Sequence, residues 1–308
     1  MQSADLSQII KAEAIRLGFF NCGIAATKSL EEDTNFHKEW LEKGMNAGMT
    51  YLERNQQVRN NPEMLVENAK SIIVVLFNYF SLEKPKDTTA PKISKYAYSV
   101  DYHYVIKNKL NELVKFIQEL KPEMQARVFT DSAPIFERRW AQLAGLGWIG
   151  RNTCLITKSQ GSFFFIGEIV TDLELKYDAP FSNDYCGTCN RCINACPTAA
   201  INSDKSINSN LCISYQTIEN RGELPESLRN KMQNQIFGCD ICQDVCPWNK
   251  KSVPTTAESF RANSEIFNLT LENWKDLQPS TYKEIFKNSP IERIGYQGLK
   301  RNIKFILD

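Results

Sequence analysis

The sequence predicts an α+β fold: an N-terminal mixed α/β sandwich, a small cysteine-rich domain and a short C-terminal helical segment. Three observations carry this reading. Ser71 to Tyr79, SIIVVLFNY, is an unbroken apolar run of strand length, as expected of a strand central to a sheet covered on both faces. From Tyr102 onward, Val105, Leu110, Leu113, Val114, Ile117 and Leu120 recur at the spacing of one helix face. Eight of the ten cysteines fall between Cys186 and Cys246.

The elements follow in order. Residues 5 to 18 place Leu6, Ile9, Ile10, Ala14 and Leu17 at helical spacing, with Gly18 in the stop position. Phe19 to Ala25 reads as a short strand, and its Cys22 as a small core side chain. Residues 34 to 70 mix a polar helical pattern with turns, and Arg54 and Arg59 read there as surface groups. A Pro- and Lys-rich connection at 82 to 93 precedes the amphipathic helix. Arg127 to Thr130 is a strand ending at Asp131; Pro134 suits the first turn of a helix that Ile135 to Leu146 continue. Asp131 stands before that helix, where aspartate commonly caps exposed N–H groups. Gly145 to Asn152 is glycine-rich, which lets a backbone approach a ligand or simply turn tightly. Thr153 to Thr157 and Ser162 to Val170 complete the sheet. Beyond Pro247 the chain turns polar and ends in a helical segment from Pro290 to Leu307, weakened by Gly295 and Gly298. The expected domains are 1–175, 176–255 and 256–308.

The cysteines run Cys186-x2-Cys189-x2-Cys192-x3-Cys196-Pro197, then Cys212, then Cys239-x2-Cys242-x3-Cys246-Pro247. Bacterial two-cluster ferredoxins hold [4Fe–4S] cubes with this spacing, and there the cysteine before the proline ligates the other cluster. The same crossing gives Cys186, Cys189, Cys192 and Cys246 to one cluster. Cys196, Cys239 and Cys242 go to the second, with Cys212 the remaining candidate, displaced upstream by an insertion at 213–238. Pro197 and Pro247 end the short turns carrying Cys196 and Cys246. Zinc sites pair C-x2-4-C with a distant second pair, and these runs do not divide that way. A disulfide framework suits neither the length nor the absence of a secretory signal.

A hydrophobic fraction of 42% and a charged fraction of 24% are those of a soluble globular protein. No apolar run approaches the roughly 18 residues a membrane helix needs, and the first residues lack a basic and apolar leader. Oxygen-sensitive thiolate clusters point to a reducing cytoplasm. A net charge of +1 gives no global sign of a polyanion partner, so any nucleic-acid surface is local. On residues alone, the chain is an electron-transfer reductase, a ferredoxin-type carrier serving a partner enzyme, or a zinc-bearing nucleic-acid module.

A larger pattern narrows this. Asp131-Ser132-Ala133-Pro134 through Glu137-Arg138, Ala141 and Ala144 to Cys154, Tyr102-His103, Leu211 to Tyr215, and Asp240 to Asn249 together resemble the epoxyqueuosine reductase family, a relative of reductive dehalogenases. The resemblance implies a cobalamin-dependent oxidoreductase that reduces epoxyqueuosine to queuosine at the wobble position of a tRNA anticodon. It implies Asp131 as proton donor, and Arg54, Asp131, Asn152, Thr153 and Ser214 around the corrinoid. Cobalamin is expected base-off without a histidine on cobalt: Asp101-Tyr102-His103 begins like a D-x-H-x-x-G signature, but Ile106 stands at the glycine position. His103 lines the cavity or merely faces the loop before its helix. A corrin beside Asp131 is expected to raise its pKa by desolvation, suiting it as an acid. The implied partners are the tRNA anticodon stem-loop and a low-potential donor such as flavodoxin or ferredoxin, with no membrane and a monomeric state. Longer members carry a C-terminal helical-repeat extension that grips tRNA. Here residues 299 to 304 and Lys250-Lys251 are the basic groups left to meet phosphates.

Overall fold

The computed structural model describes residues 3–307. A four-stranded antiparallel sheet in the order β1-β2-β7-β4 forms its centre, from β1 (Asn21–Ala26), β2 (Ser71–Asn78), β4 (Ala126–Phe129) and β7 (Phe164–Thr171). The uniform apolarity of β2 has a direct cause. Ile73, Val75 and Phe77 point into one core with α1 (Ser3–Arg16) and α4 (Tyr102–Leu120), whereas Ile72, Val74 and Leu76 point into another with α5 (Glu137–Leu143). Side chains alternate across a strand, so a strand buried on both faces cannot alternate in polarity. α4 buries Ile106, Leu110, Leu113 and Ile117, and Asp101 caps it by accepting from the His103 N–H at 2.9 Å. Leu120, expected on the buried face, is 39% exposed at the helix end.

Two short helices, α2 (Glu31–Glu42) and α3 (Gln56–Asn60), fill the polar stretch after β1. The short strand β3 (Lys92–Ile93) pairs in parallel with β8 (Gln235–Phe237), inside the expected insertion. Thr153 to Thr157 does not join the main sheet. Its core, β6 (Leu155–Ile156), makes a separate hairpin with β5 (Trp148–Ile149). A Cβ at Gly147 would collide with the Ile156 carbonyl oxygen, so the hairpin's own packing requires glycine there. α5 is shorter than expected at both ends: Ser132 to Ile135 bend before it and Gly145, at φ 76°, ends it.

The cysteine region is built on the turns α6 (Arg191–Ala195), α7 (Ile213–Ile218) and α8 (Ile241–Asp244). Both cysteine–proline pairs lie just past a turn; Pro247 opens a 3-10 helix at Pro247–Lys251. A buried polar clip fastens this region to the sheet. The Asn249 Oδ1 accepts from the Ser162 N–H at 2.6 Å, its Nδ2 donates to the Gln243 carbonyl at 2.7 Å, and the Gln243 Nε2 donates to the Ser162 carbonyl at 3.1 Å.

Residues after Pro247 overturn the expectation of a merely polar tail. Phe260 enters the main core, and α9 (Ser264–Asn268), α10 (Leu271–Lys275), α11 (Pro279–Ile285) and α12 (Gly295–Leu307) enclose Trp274, Phe286, Ile291 and Leu299. The short α9, α10 and α11 show no sustained period, so of these helices only α12 lies within a segment expected from the sequence. Pro290–Ile294 is a 3-10 helix that meets α12 at Gly295, φ 65°. The basic groups here hold the fold together. Arg301 donates to the carbonyls of Asn220, Gly222 and Gln216, Lys300 to that of Lys275, and Arg293 pairs with Glu219 at 2.8 Å. Among the described residues no helix is long and apolar enough to cross a membrane.

Candidate active site and cluster cavities

Cys186, Cys189, Cys192 and Cys246 line one cavity of about 50 Å³, together with Arg151, Asn152, Tyr185, Arg191 and Trp248. These are the four sulfurs the crossed pattern groups together. The same partition emerges from mutual electrostatics. Burial raises the Cys246 thiol, with Cys186 and Cys189 adding; burial pushes Cys239 up to about 12, with Cys212 and Cys196 adding; and Cys242 is raised by burial, with Cys239 and Cys212 among its neighbours. Cys196, Cys212, Cys239 and Cys242 thus form a second set. Thiols held protonated by one another in a buried site become good ligands once a cation repays the charge. Among the described residues, no three His, Cys, Asp or Glu side chains converge on one point as the ligands of a single ion would. Four sulfurs around a cube are spread further than four around one zinc, whose Zn–S bonds are about 2.3 Å. The donor set fits two clusters.

Cys212 N-caps α7, and its sulfur is approached by the N–H groups of Ser214 and Tyr215. Tyr215 reaches further: its hydroxyl accepts from the Gly48 N–H at 2.8 Å, tying the Arg54-bearing segment to α7. Asn152 is 2% exposed and its Nδ2 donates to the Cys242 carbonyl at 3.4 Å, so it touches both cysteine sets. Thr153 adopts φ 63°, its carbonyl and hydroxyl held by the Arg138 guanidinium at 2.8 and 3.0 Å. Cys154, half-buried near Cys192, Cys242 and Cys246, is pushed by burial up to about 12.

Asp131 does not cap a helix. α5 starts six residues later with Phe136 in the N-cap position. Asp131 instead sits at the end of β4 in a left-handed conformation, φ 58°, with its side chain 56% exposed. The His103 Nε2 donates to its Oδ2 at 3.2 Å, and the His103 Nδ1 donates to the Asp101 Oδ1 at 2.7 Å. Of the two placements open for His103, the structure takes the one in the site. Burial alone would lower the imidazole, but the two carboxylates raise it to about 9, so at neutral pH it is a cation. Burial pushes the Asp131 carboxyl up, yet hydrogen bonds from His103 and Tyr102 outweigh this and hold it below the usual value. Tyr51, Glu219 and Arg293 stand around the same charge.

Behind Asp131 lie Glu137, part of the motif that carries the resemblance, and Glu168, which the sequence did not single out. The Asp131 backbone N–H donates to the Glu137 Oε1. Glu168, on the α5-facing side of β7, is 0% exposed. Burial pushes Glu137 up to about 7, with the Asp131 charge adding, and lifts Glu168 well above the carboxylate range, with Glu137 adding. The available signal was a lone acid in the apolar strand FFIGEIVT.

Residues 59–132 match the family described as Epoxyqueuosine reductase QueG, DUF1730, and residues 185–249 match the 4Fe-4S double cluster binding domain. The chain is 46% identical over 300 residues to an epoxyqueuosine reductase of Cellulophaga algicola, covering 97% of each. It superposes on a crystal structure of epoxyqueuosine reductase with a tRNA-Tyr epoxyqueuosine-modified stem loop at TM-score 0.87, with 26% identity and coverage of 98% of this chain and 81% of that one. An epoxyqueuosine reductase from Bacillus subtilis, with its aspartate-bearing catalytic loop swung out of the active site, gives TM-score 0.87 at 25% identity, again over 98% and 81%.

Proposed function

This chain belongs to the epoxyqueuosine reductase family, and we propose that its Asp131 site is where a tRNA-borne epoxide receives a proton and the electrons passed on by two [4Fe–4S] clusters. The enzyme reduces epoxyqueuosine to queuosine. Converting an epoxide to an alkene breaks two C–O bonds, consumes two electrons and two protons, and releases water. The observation that carries the reading is the Asp101–His103–Asp131 relay in a chain that also assembles the cysteine sets. Asp101 fixes the ring and keeps it protonated. His103 hands its proton to the exposed Asp131 carboxylate, which delivers it to the leaving oxygen. Asp131, an anion at rest, acts as acid through His103 rather than through desolvation.

We assign Arg54, Asp131, Asn152, Thr153 and Ser214 to hold cobalamin, which when bound would supply a centre able to gather electrons that clusters pass one at a time. Both nitrogens of His103 are engaged by carboxylates, so these residues would hold a corrinoid without drawing on His103 as a donor. A flavodoxin- or ferredoxin-type carrier supplies the electrons, and an anticodon stem-loop suffices as substrate because its bases are already unpaired. The ferredoxin-type carrier reading leaves the relay and the full-length relationship without a role. The test is anaerobic turnover of an epoxyqueuosine-bearing stem-loop with cobalamin and a reductant. Queuosine formation that requires cobalamin is expected; brown protein that ignores both cobalamin and stem-loop refutes the assignment.

A further inference from the structure

A left-handed conformation at a residue other than glycine costs free energy, of order 1–3 kcal/mol, and persists only where its surroundings impose it. At Asp131 the imposing contact is the hydrogen bond from its own N–H to the Glu137 carboxylate. Glu137 in turn lies against Glu168, which is wholly buried and to whose oxygens no N–H or O–H of another described residue donates. A wholly buried carboxylate without donors is costly, and a second carboxylate beside it adds to that cost; a shared proton removes both by turning one acid into a donor for the other.

We propose that Glu168 and Glu137 form an acid–carboxylate latch that holds the Asp131 loop in its catalytic conformation. Neither touches substrate; both are positioning residues for the proton donor of the reading above, on which this inference rests. The β7–α5 packing places Glu168 where it reaches only inward, and Glu137, first residue of α5, is the hinge side of the loop. The charged and titratable groups facing the pair are Asp131 with its partners His103 and Tyr102, and Arg138. In the Bacillus subtilis enzyme the catalytic loop is found swung out, so such a loop has an open state for a latch to work against.

Hydrogen exchange of the peptide spanning Asp131, on cluster-loaded chain without substrate, reads the latch independently of turnover. Glu137→Leu removes the acceptor and speeds exchange there by roughly ten- to a hundredfold, the worth of a hydrogen bond to a charged group. Glu137→Gln, whose amide still accepts from Asp131 and donates to Glu168, restores slow exchange. In wild type the latch holds at neutral pH and loosens as alkali removes the last proton of the pair, after correction for intrinsic exchange. Glu168→Gln keeps a neutral donor and abolishes that alkaline loosening. A carboxylic-acid C=O infrared band present in wild type and absent in Glu168→Gln locates the proton. Unchanged exchange in Glu137→Leu, or an alkaline transition that survives Glu168→Gln, overturns the latch. Absent turnover with these exchange results intact overturns only the proton-donor reading.

Discussion

His103 offers a quantitative check because the chain holds only two histidines, so its resonance is assigned by removing His37. Its imidazole sits between Asp101 at 2.7 Å and Asp131 at 3.2 Å and is raised from 6.5 to about 9. That shift corresponds to about 3 kcal/mol of preference for the cation. The two carboxylates do not share it equally. Asp131 is 56% exposed against 24% for Asp101, so its attraction is discounted for solvent screening. Asp131→Asn and Asp101→Asn therefore each lower the His103 pKa, Asp101→Asn by more. Because the folded pKa lies above the unfolded one, the stabilisation is complete below 6.5 and is lost as pH rises through about 9. Titration of the ring Cε1–H by carbon-resolved NMR, with oxidised clusters, measures this directly. A wild-type His103 titrating at or below 6.5, or one unmoved by Asp131→Asn, would refute the relay.

Three further outcomes are expected. Asp131→Asn abolishes turnover while iron content and corrinoid binding persist; near-normal turnover would remove Asp131 from the reaction. Cys196→Ala and Cys212→Ala each lose the second cluster and leave the same residual spectrum of about four irons, while Cys186→Ala leaves the other. Identical residual spectra for Cys186→Ala and Cys196→Ala would instead mean that each run serves its own cluster. Gly161, at φ 75°, has the Asn249 side chain where a Cβ would stand. Gly161→Ala should therefore cost about 2–4 kcal/mol through backbone strain and the broken Asn249–Ser162 clip. Chemical denaturation measures that cost, and loss below 1 kcal/mol would show the clip to be dispensable.

Some of this molecule is written in short-range pattern. Cysteine spacing dictates which sulfurs can share a cube, because three ligands two residues apart leave room for only one wrap of backbone. An apolar strand such as β2 and an amphipathic helix such as α4 announce themselves because each buries its faces with a fixed period. The cysteine spacing leaves Cys212 as the eighth ligand, and resemblance to a family marks Asp131. Tertiary structure alone decided the rest. Most of the C-terminal core arises from helices too short to show a period. The sign of the Asp131 shift depends on His103 arriving from a helix 28 residues away. Glu137 and Glu168 matter only because α5 packs over β7 and forces two carboxyls together out of water. Charge and proton occupancy are set by what surrounds a group in space, and a linear sequence carries that information only through the fold.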